Sequence, residues 1–183
     1  PVISSAASDV YKRQGLHAFS WRGYWEYGTG SLGDMGCHIM DVPIKALGIF
    51  DPFSIEASVP RVPYVADFTP APVYEESCPP SSYVTYRFRP SKINDSEVKM
   101  IWMDGGIRPS HPEIITDKDQ IGDNGILMLG ENGLIWSDYY GVNARLYIKG
   151  QKGAVEVGKI SEINSVEFGH QKHWVDAIKA GFG

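Results

Sequence analysis

Two alternating runs constrain this chain most: YVTYRFR (83–89) and EVKMIWMD (97–104), set apart by the short polar stretch PSKINDS. In the first run Tyr83, Thr85 and Arg87 fall on one face and Val84, Tyr86 and Phe88 on the other, the period of two that a strand requires. So short a connection cannot hold a parallel crossover, which needs about a dozen residues or more, so the two runs pair antiparallel. Shorter strand candidates flank them. SIEASV places Ile55, Ala57 and Val59 on one face, and GILMLGENGLIWSDYY reads as two strands around a turn at Glu131, Asn132 and Gly133. ARLYIKG and AVEVG complete the set.

Helical signals stand at the two ends of this series. Thr29 or Ser31 can cap a helix from about Leu32 to Leu47 that Gly48 ends, and Pro43 inside it calls for a kink or an early stop. Near the end, His170 to Ala180 carries Trp174, Ala177 and Ile178 at helical spacing, with Gly181 placed to stop it. Residues 60–82, with six prolines, read as an extended loop, as does DGGIRPSHPE, where Gly105 and Gly106 can turn left-handed. The order predicts an α+β fold: an open, mostly antiparallel sheet with helices packed on one face. Its other face would carry Tyr83, Tyr86, Trp102 or Trp136, depending on register, as an aromatic surface for a partner.

Composition removes several function classes. At 183 residues and 43% apolar the chain suits one globular domain. A net charge of −5 argues against a nucleic-acid partner, because counterion release needs a basic face. No apolar run reaches the roughly 18 residues of a membrane helix. Two cysteines are too few for a disulfide framework, and Cys37 reads as a small core residue. Residues 1–14 lack any periodicity and resemble translated adaptor sequence, so they read as a non-native or disordered tail. The remainder, 15–183, reads as a domain open at both ends.

The chemistry is concentrated in GTGSLGDMGCHIMD, residues 28–41. Asp34 and His38 stand four apart and so share a helix face, with Asp41 extending the stripe. The residues between them are small or apolar, and polar groups on a mostly buried helix need partners. Gly33 and Gly36 each weaken a helix by about 0.8–1 kcal/mol against alanine, so their presence points to a close backbone approach. A carboxylate beside an imidazole raises its basicity and fixes its orientation, which suits a proton-transfer base. The same spacing also fits a plain helix N-terminus with an acidic first turn and a hydrogen-bonded core histidine. A metal site from Asp34, His38 and His170 or His173 is a thinner reading, and no metal ligand is assigned.

WRGYWEYGTGSLGDMGCHIMD resembles the start of the C-terminal domain of the Gfo/Idh/MocA oxidoreductases, nearest the bacterial branch that handles sugars and glycosides. WMDGGIRPSHPE, GILMLGENGLI and HWVDAIKAG add weaker likeness over most of the chain. The resemblance implies a substrate and oligomerisation domain whose partner in the whole enzyme, a Rossmann domain, binds NAD or NADP. It implies His38 as acid/base toward a sugar hydroxyl, Asp34 as its support, and Trp21, Arg22 and Tyr24 as a substrate-pocket loop. Asp41 reads either as a further substrate contact or as the partner of a base on a neighbouring element. No Gly-x-Gly-x-x-Gly follows a strand here and the family's Glu-Lys-Pro lysine is absent, so the cofactor-binding residues are unknown and this piece alone is expected to be inactive.

The function expected is therefore the catalytic C-terminal domain of an NAD(P)-dependent oxidoreductase acting on a sugar or glycoside, a homo-oligomer through its open sheet face. Two other readings are a non-catalytic, sheet-mediated dimerisation module and a metal-dependent sugar isomerase or lyase. Cytoplasm and periplasm are both compatible with the sequence.

Overall fold

The computed structural model describes residues 20–60, 76–115, 121–155 and 166–181, with the side chains of 166–170 and 173 outside that set. The tail read at 1–14, most of the proline-rich loop and the end of AVEVG lie outside the described residues.

Among the described residues six strands form two three-stranded sheets, both antiparallel throughout. The first joins β1 (Pro52–Ser58), β2 (Tyr83–Phe88) and β3 (Val98–Met103) in that order. The second joins β4 (Ile126–Gly130), β5 (Gly133–Ser137) and β6 (Arg145–Ile148). The fold is α+β with open sheets, and each strand falls where the alternation placed it. Gly130 pairs with Gly133, so Glu131 and Asn132 form a two-residue hairpin turn. Val155 adds an isolated bridge to Leu146. Gly105 and Gly106 take φ of 63° and 91°, the left-handed turn that the loop asked for.

Register decides which aromatics are covered. Val84 pairs with Trp102 across β2 and β3, and both are buried together with Phe88. In the second sheet Leu134, Trp136 and Tyr147 pack with Ile115, and Tyr147 is 1% exposed. Trp102 at 6% and Trp136 at 9% exposure are core residues, which corrects their expected place on an open aromatic face. Tyr83 and Tyr86 stay half-buried, and burial pushes the Tyr86 phenol above its ordinary pKa. The uncovered apolar residues of the first sheet lie on its edge strand β1 and include Phe53 as well as aliphatic side chains. Ile55 and Ala57 share one face of that strand and are exposed, as is Val59 just past its end.

The helix expected over 32–47 forms as two, α1 (Gly30–Ile39) and α2 (Asp41–Leu47). Met40 between them keeps a right-handed helical conformation, and its N–H still donates to Gly36. Pro43 accounts for the interruption: its missing N–H and its ring act on the carbonyl four residues back, which is that of Ile39. Gly48 ends α2 at φ 64°. Thr29 occupies the N-cap of α1 without a side-chain capping hydrogen bond. The pair meets the rest of the molecule through loops, Ser91 Oγ donating to the Leu47 carbonyl at 2.5 Å and Val42 facing Gly141. α3 (Val166–Ala180) begins earlier than its spacing indicated and leaves Trp174 and Ile178 exposed.

Candidate functional site

The glycines of GTGSLG are explained by close approaches within the chain. Gly28 lies against the backbone of Arg22, where a Cβ would collide with the Arg22 carbonyl. Gly30 is buried at φ 68°, and a Cβ there would sit 2.8 Å from Cys78 Cβ. Gly33 faces the Thr29 side chain with no room for a Cβ. The consequence is a tight scaffold around the start of α1. A 3₁₀ turn, Ser20–Gly23, leads into a bend in which the N–H groups of Tyr27 and Gly28 donate to the Tyr24 carbonyl. On the outer side the chain at 76–78 runs antiparallel to it: Trp25 N–H donates to Glu76 and Cys78 N–H to Gly23, at 3.0 and 2.7 Å, around the Tyr24–Ser77 bridge.

This scaffold brings Arg22 onto α1. Its Nε stands 3.3 Å from Asp34 Oδ1, and its guanidinium lies 4.5 Å from the centroid of the Trp21 ring. Both members of the ion pair are about one-third exposed, so it contributes at most about 1 kcal/mol to stability. Its effect is geometric: the Asp34 carboxylate is directed at Arg22. No hydrogen bond or ion pair joins Asp34 to His38, so the expected carboxylate–imidazole contact is not made in this structure.

His38 is exposed, and so is Cys37, whose Sγ is 3.7 Å from the Asp34 carbonyl. Both observations correct the picture of a mostly buried helix with Cys37 in the core. Only Gly30 and Gly36 of α1 are buried, Gly30 against Cys78 and Gly36 beneath Leu32 and Met40 of its own segment, while the other residues are half-covered or exposed. Polar side chains here need no buried partner. The His38 and Tyr140 rings instead stand nearly perpendicular to each other, with centroids 5.5 Å apart and planes at 84°. Asp41 is exposed at the start of α2, and Trp21, Arg22 and Tyr24 are half-buried.

Trp21, Arg22, Asp34 and the turn to Tyr24 therefore assemble as one unit, while His38 sits one helical turn further on beside a loop that the sequence did not connect to it. Tyr140 was the residue missed: it follows β5 far along the chain, and no local spacing signals its approach to α1. A cavity of about 530 Å³ lies elsewhere, lined by Pro112, Ile114, Leu129, Leu134 and Lys149 among others, and holds none of these residues.

A dinucleotide finds no cradle among the described residues. The glycines that could have approached a phosphate are occupied by Arg22, Cys78 and Thr29, and among the described residues no strand leads into the helix they open. Among the described residues no three His, Cys, Asp or Glu side chains gather as a metal site, and the His170 and His173 side chains lie outside that set. No helix among the described residues is long and apolar enough to cross a membrane.

Comparison with protein families matches residues 2–62 to the model described as "Oxidoreductase family, C-terminal alpha/beta domain", that of Gfo/Idh/MocA. The match takes in the 3₁₀ turn, α1, α2 and β1, so it covers the whole candidate site except the Tyr140 loop. Comparison with curated proteins gives no match.

Proposed function

We propose, for a chain whose residues 2–62 match the model of the Gfo/Idh/MocA C-terminal domain, that it forms the substrate side of an oxidoreductase acting on a hydroxyl of a sugar or glycoside. His38 is the acid/base of this reading. It takes the hydroxyl proton as the carbon bearing it is oxidised, and returns it in the reverse direction. The single observation that carries the reading is the exposed imidazole of His38 on the family-matched helix, within reach of a bound ligand and sealed by no core packing. Trp21, Arg22 and Tyr24 form the adjoining substrate wall. The Arg22–Asp34 pair offers a guanidinium and a carboxylate at its rim for sugar hydroxyls, and Asp41 adds a carboxylate one turn beyond His38.

NAD or NADP is the electron acceptor that the family implies, and its hydride chemistry belongs to the cofactor. The described residues do not fit it, so it would be held by residues outside them. Within the reading, this chain's own residues bind the sugar, orient it and handle one proton.

With a nucleotide-binding domain present in the same gene product, His38→Ala is expected to lower turnover by about 10²–10⁴-fold while leaving the fold intact. A loss smaller than about tenfold would remove His38 from the mechanism.

Association between copies is a compatible second role, favoured by the exposed Ile55 and Ala57 of the β1 edge strand and Val59 just beyond it. Light scattering of the chain before and after Ile55→Lys tests it. A monomer in both cases argues against it.

A further inference from the structure

We propose that Tyr140, with Tyr139 beside it, forms an aromatic wall next to His38 on which a carbohydrate ring is stacked, so that Tyr140 positions the substrate for the proton transfer. The inference rests on the sugar chemistry proposed for His38 and names a residue for it that lies outside the family-matched segment.

The loop that carries the two tyrosines is well braced. Asp138 N–H donates to the Val142 carbonyl at 3.0 Å, and Gly141 N–H donates back to the Asp138 carbonyl at 2.9 Å. The Asn143 side-chain amide donates to the Asp138 carboxylate at 2.6 Å, with Asn143 itself held at φ 53°. An asparagine tolerates that left-handed conformation better than most residues. Gly141, at φ 74°, is pressed onto Val42 of α2: a Cβ there would meet both Val42 methyl groups at 3.2 Å. Thus one glycine and one turn fix where the loop rests against the helix pair.

What the brace presents is a row of rings in solvent. Tyr140 and His38 lie with their planes nearly perpendicular at 5.5 Å, and Tyr139 is 4.3 Å from Tyr140 at a tilt of 52°. Tyr140 is 56% exposed and Tyr139 is 39% exposed, so neither is there to fill a core. Tyrosine supplies a rigid apolar face with a polar tip, and a folded loop that holds two of them outward is suited to a ligand having both characters. A pyranose ring has both. Its axial C–H bonds make an apolar face for the electron-rich ring, and its equatorial hydroxyls point outward to His38 and to the Arg22–Asp34 pair. A loop set on a firm scaffold is also where specificity residues commonly reside.

The test uses the full chain and the His38 Cε1–H NMR signal, assigned by its loss in His38→Ala, with methyl β-glucopyranoside and methyl β-galactopyranoside as probes. At least one glycoside is expected to shift that signal saturably. Tyr140→Ala should then weaken binding about fivefold or more, and Tyr140→Phe should stay within about twofold of the parent, since the ring face supplies the contact. Tyr140→Leu keeps the bulk without the ring and should resemble Tyr140→Ala. A Tyr140→Ala or Tyr140→Leu chain that binds as tightly as the parent overturns the wall and leaves the His38 reading in place. Failure of both glycosides to move the His38 signal in the parent chain removes the His38 reading, and the wall with it.

Discussion

Replacing Gly30 with alanine tests the scaffold on which the candidate site depends. Two separate penalties apply. Gly30 holds φ at 68°, a left-handed conformation that an L-residue enters at roughly 1–2 kcal/mol. The new methyl would also lie 2.8 Å from Cys78 Cβ and 3.1 Å from its Sγ, well inside the 3.5–4.0 Å or so of a relaxed carbon contact. Overpacking of this kind typically costs about 1–3 kcal/mol, and the stiffer unfolded chain returns only about 0.4–1 kcal/mol to the loss. A net destabilisation of about 2–4 kcal/mol follows, a large share of the 5–15 kcal/mol or so that holds an ordinary domain.

Urea denaturation followed by circular dichroism measures that loss, and a double-mutant cycle with Cys78→Gly separates its two parts. Removing Cys78 Cβ relieves the overlap but not the backbone strain. The pair should therefore show a favourable coupling of about 1–2 kcal/mol, with the remainder of the Gly30→Ala loss unrelieved. A Gly30→Ala loss below about 1 kcal/mol, or a coupling within about 0.5 kcal/mol of zero, would refute the close approach of α1 to the 76–78 segment.

Two further outcomes can be checked on the same chain. The cysteines should separate in alkylation at mildly alkaline pH: Cys37 is exposed, whereas burial raises the Cys78 thiol above its ordinary pKa despite an opposing backbone hydrogen bond, so Cys37 should react about tenfold faster or more; equal rates would contradict the packing at Gly30. Tyr147→Ala should destabilise the second sheet by about 3–5 kcal/mol, the loss expected for a large buried aromatic, and a change below about 1 kcal/mol in the denaturation midpoint energy would show that Tyr147 is not its centre.

The strands were legible because alternation and short connectors are local signals. Val84, Tyr86 and Phe88 announce one face of β2 within a single run of residues, and the polar PSKINDS leaves its partner only an antiparallel return. The division into two sheets was not legible, since it depends on which strands pair across the DGGIRPSHPE loop rather than on any strand's own pattern. Burial of Trp102 and Trp136 is hidden for the same reason. A tryptophan on an alternating strand has the same sequence context whichever face is covered, and only the neighbours supplied by other segments decide the matter.

At the site, sequence spacing located Asp34 and His38 on one helix but misjudged what each would touch. Spacing describes a helix surface; it is silent about what leans on that surface. Arg22 reaches Asp34 because Gly28 lets the backbone fold back so closely, and Tyr140 reaches His38 because Gly141 seats a remote loop on Val42. In both cases a glycine outside α1 settles the contact, through space that only a missing side chain leaves open. The start of α1 follows the same rule, Gly30 letting it lie against Cys78. The two halves of the candidate site can thus vary separately: the Arg22–Asp34 pair with the bend at Tyr24–Gly28, and the aromatic side of His38 with the β5–β6 loop. Exchanging residues 138–143 should alter which ring is accepted beside His38 without disturbing the guanidinium–carboxylate pair, because the Arg22 and Tyr140 contacts share no element except the helix that separates them.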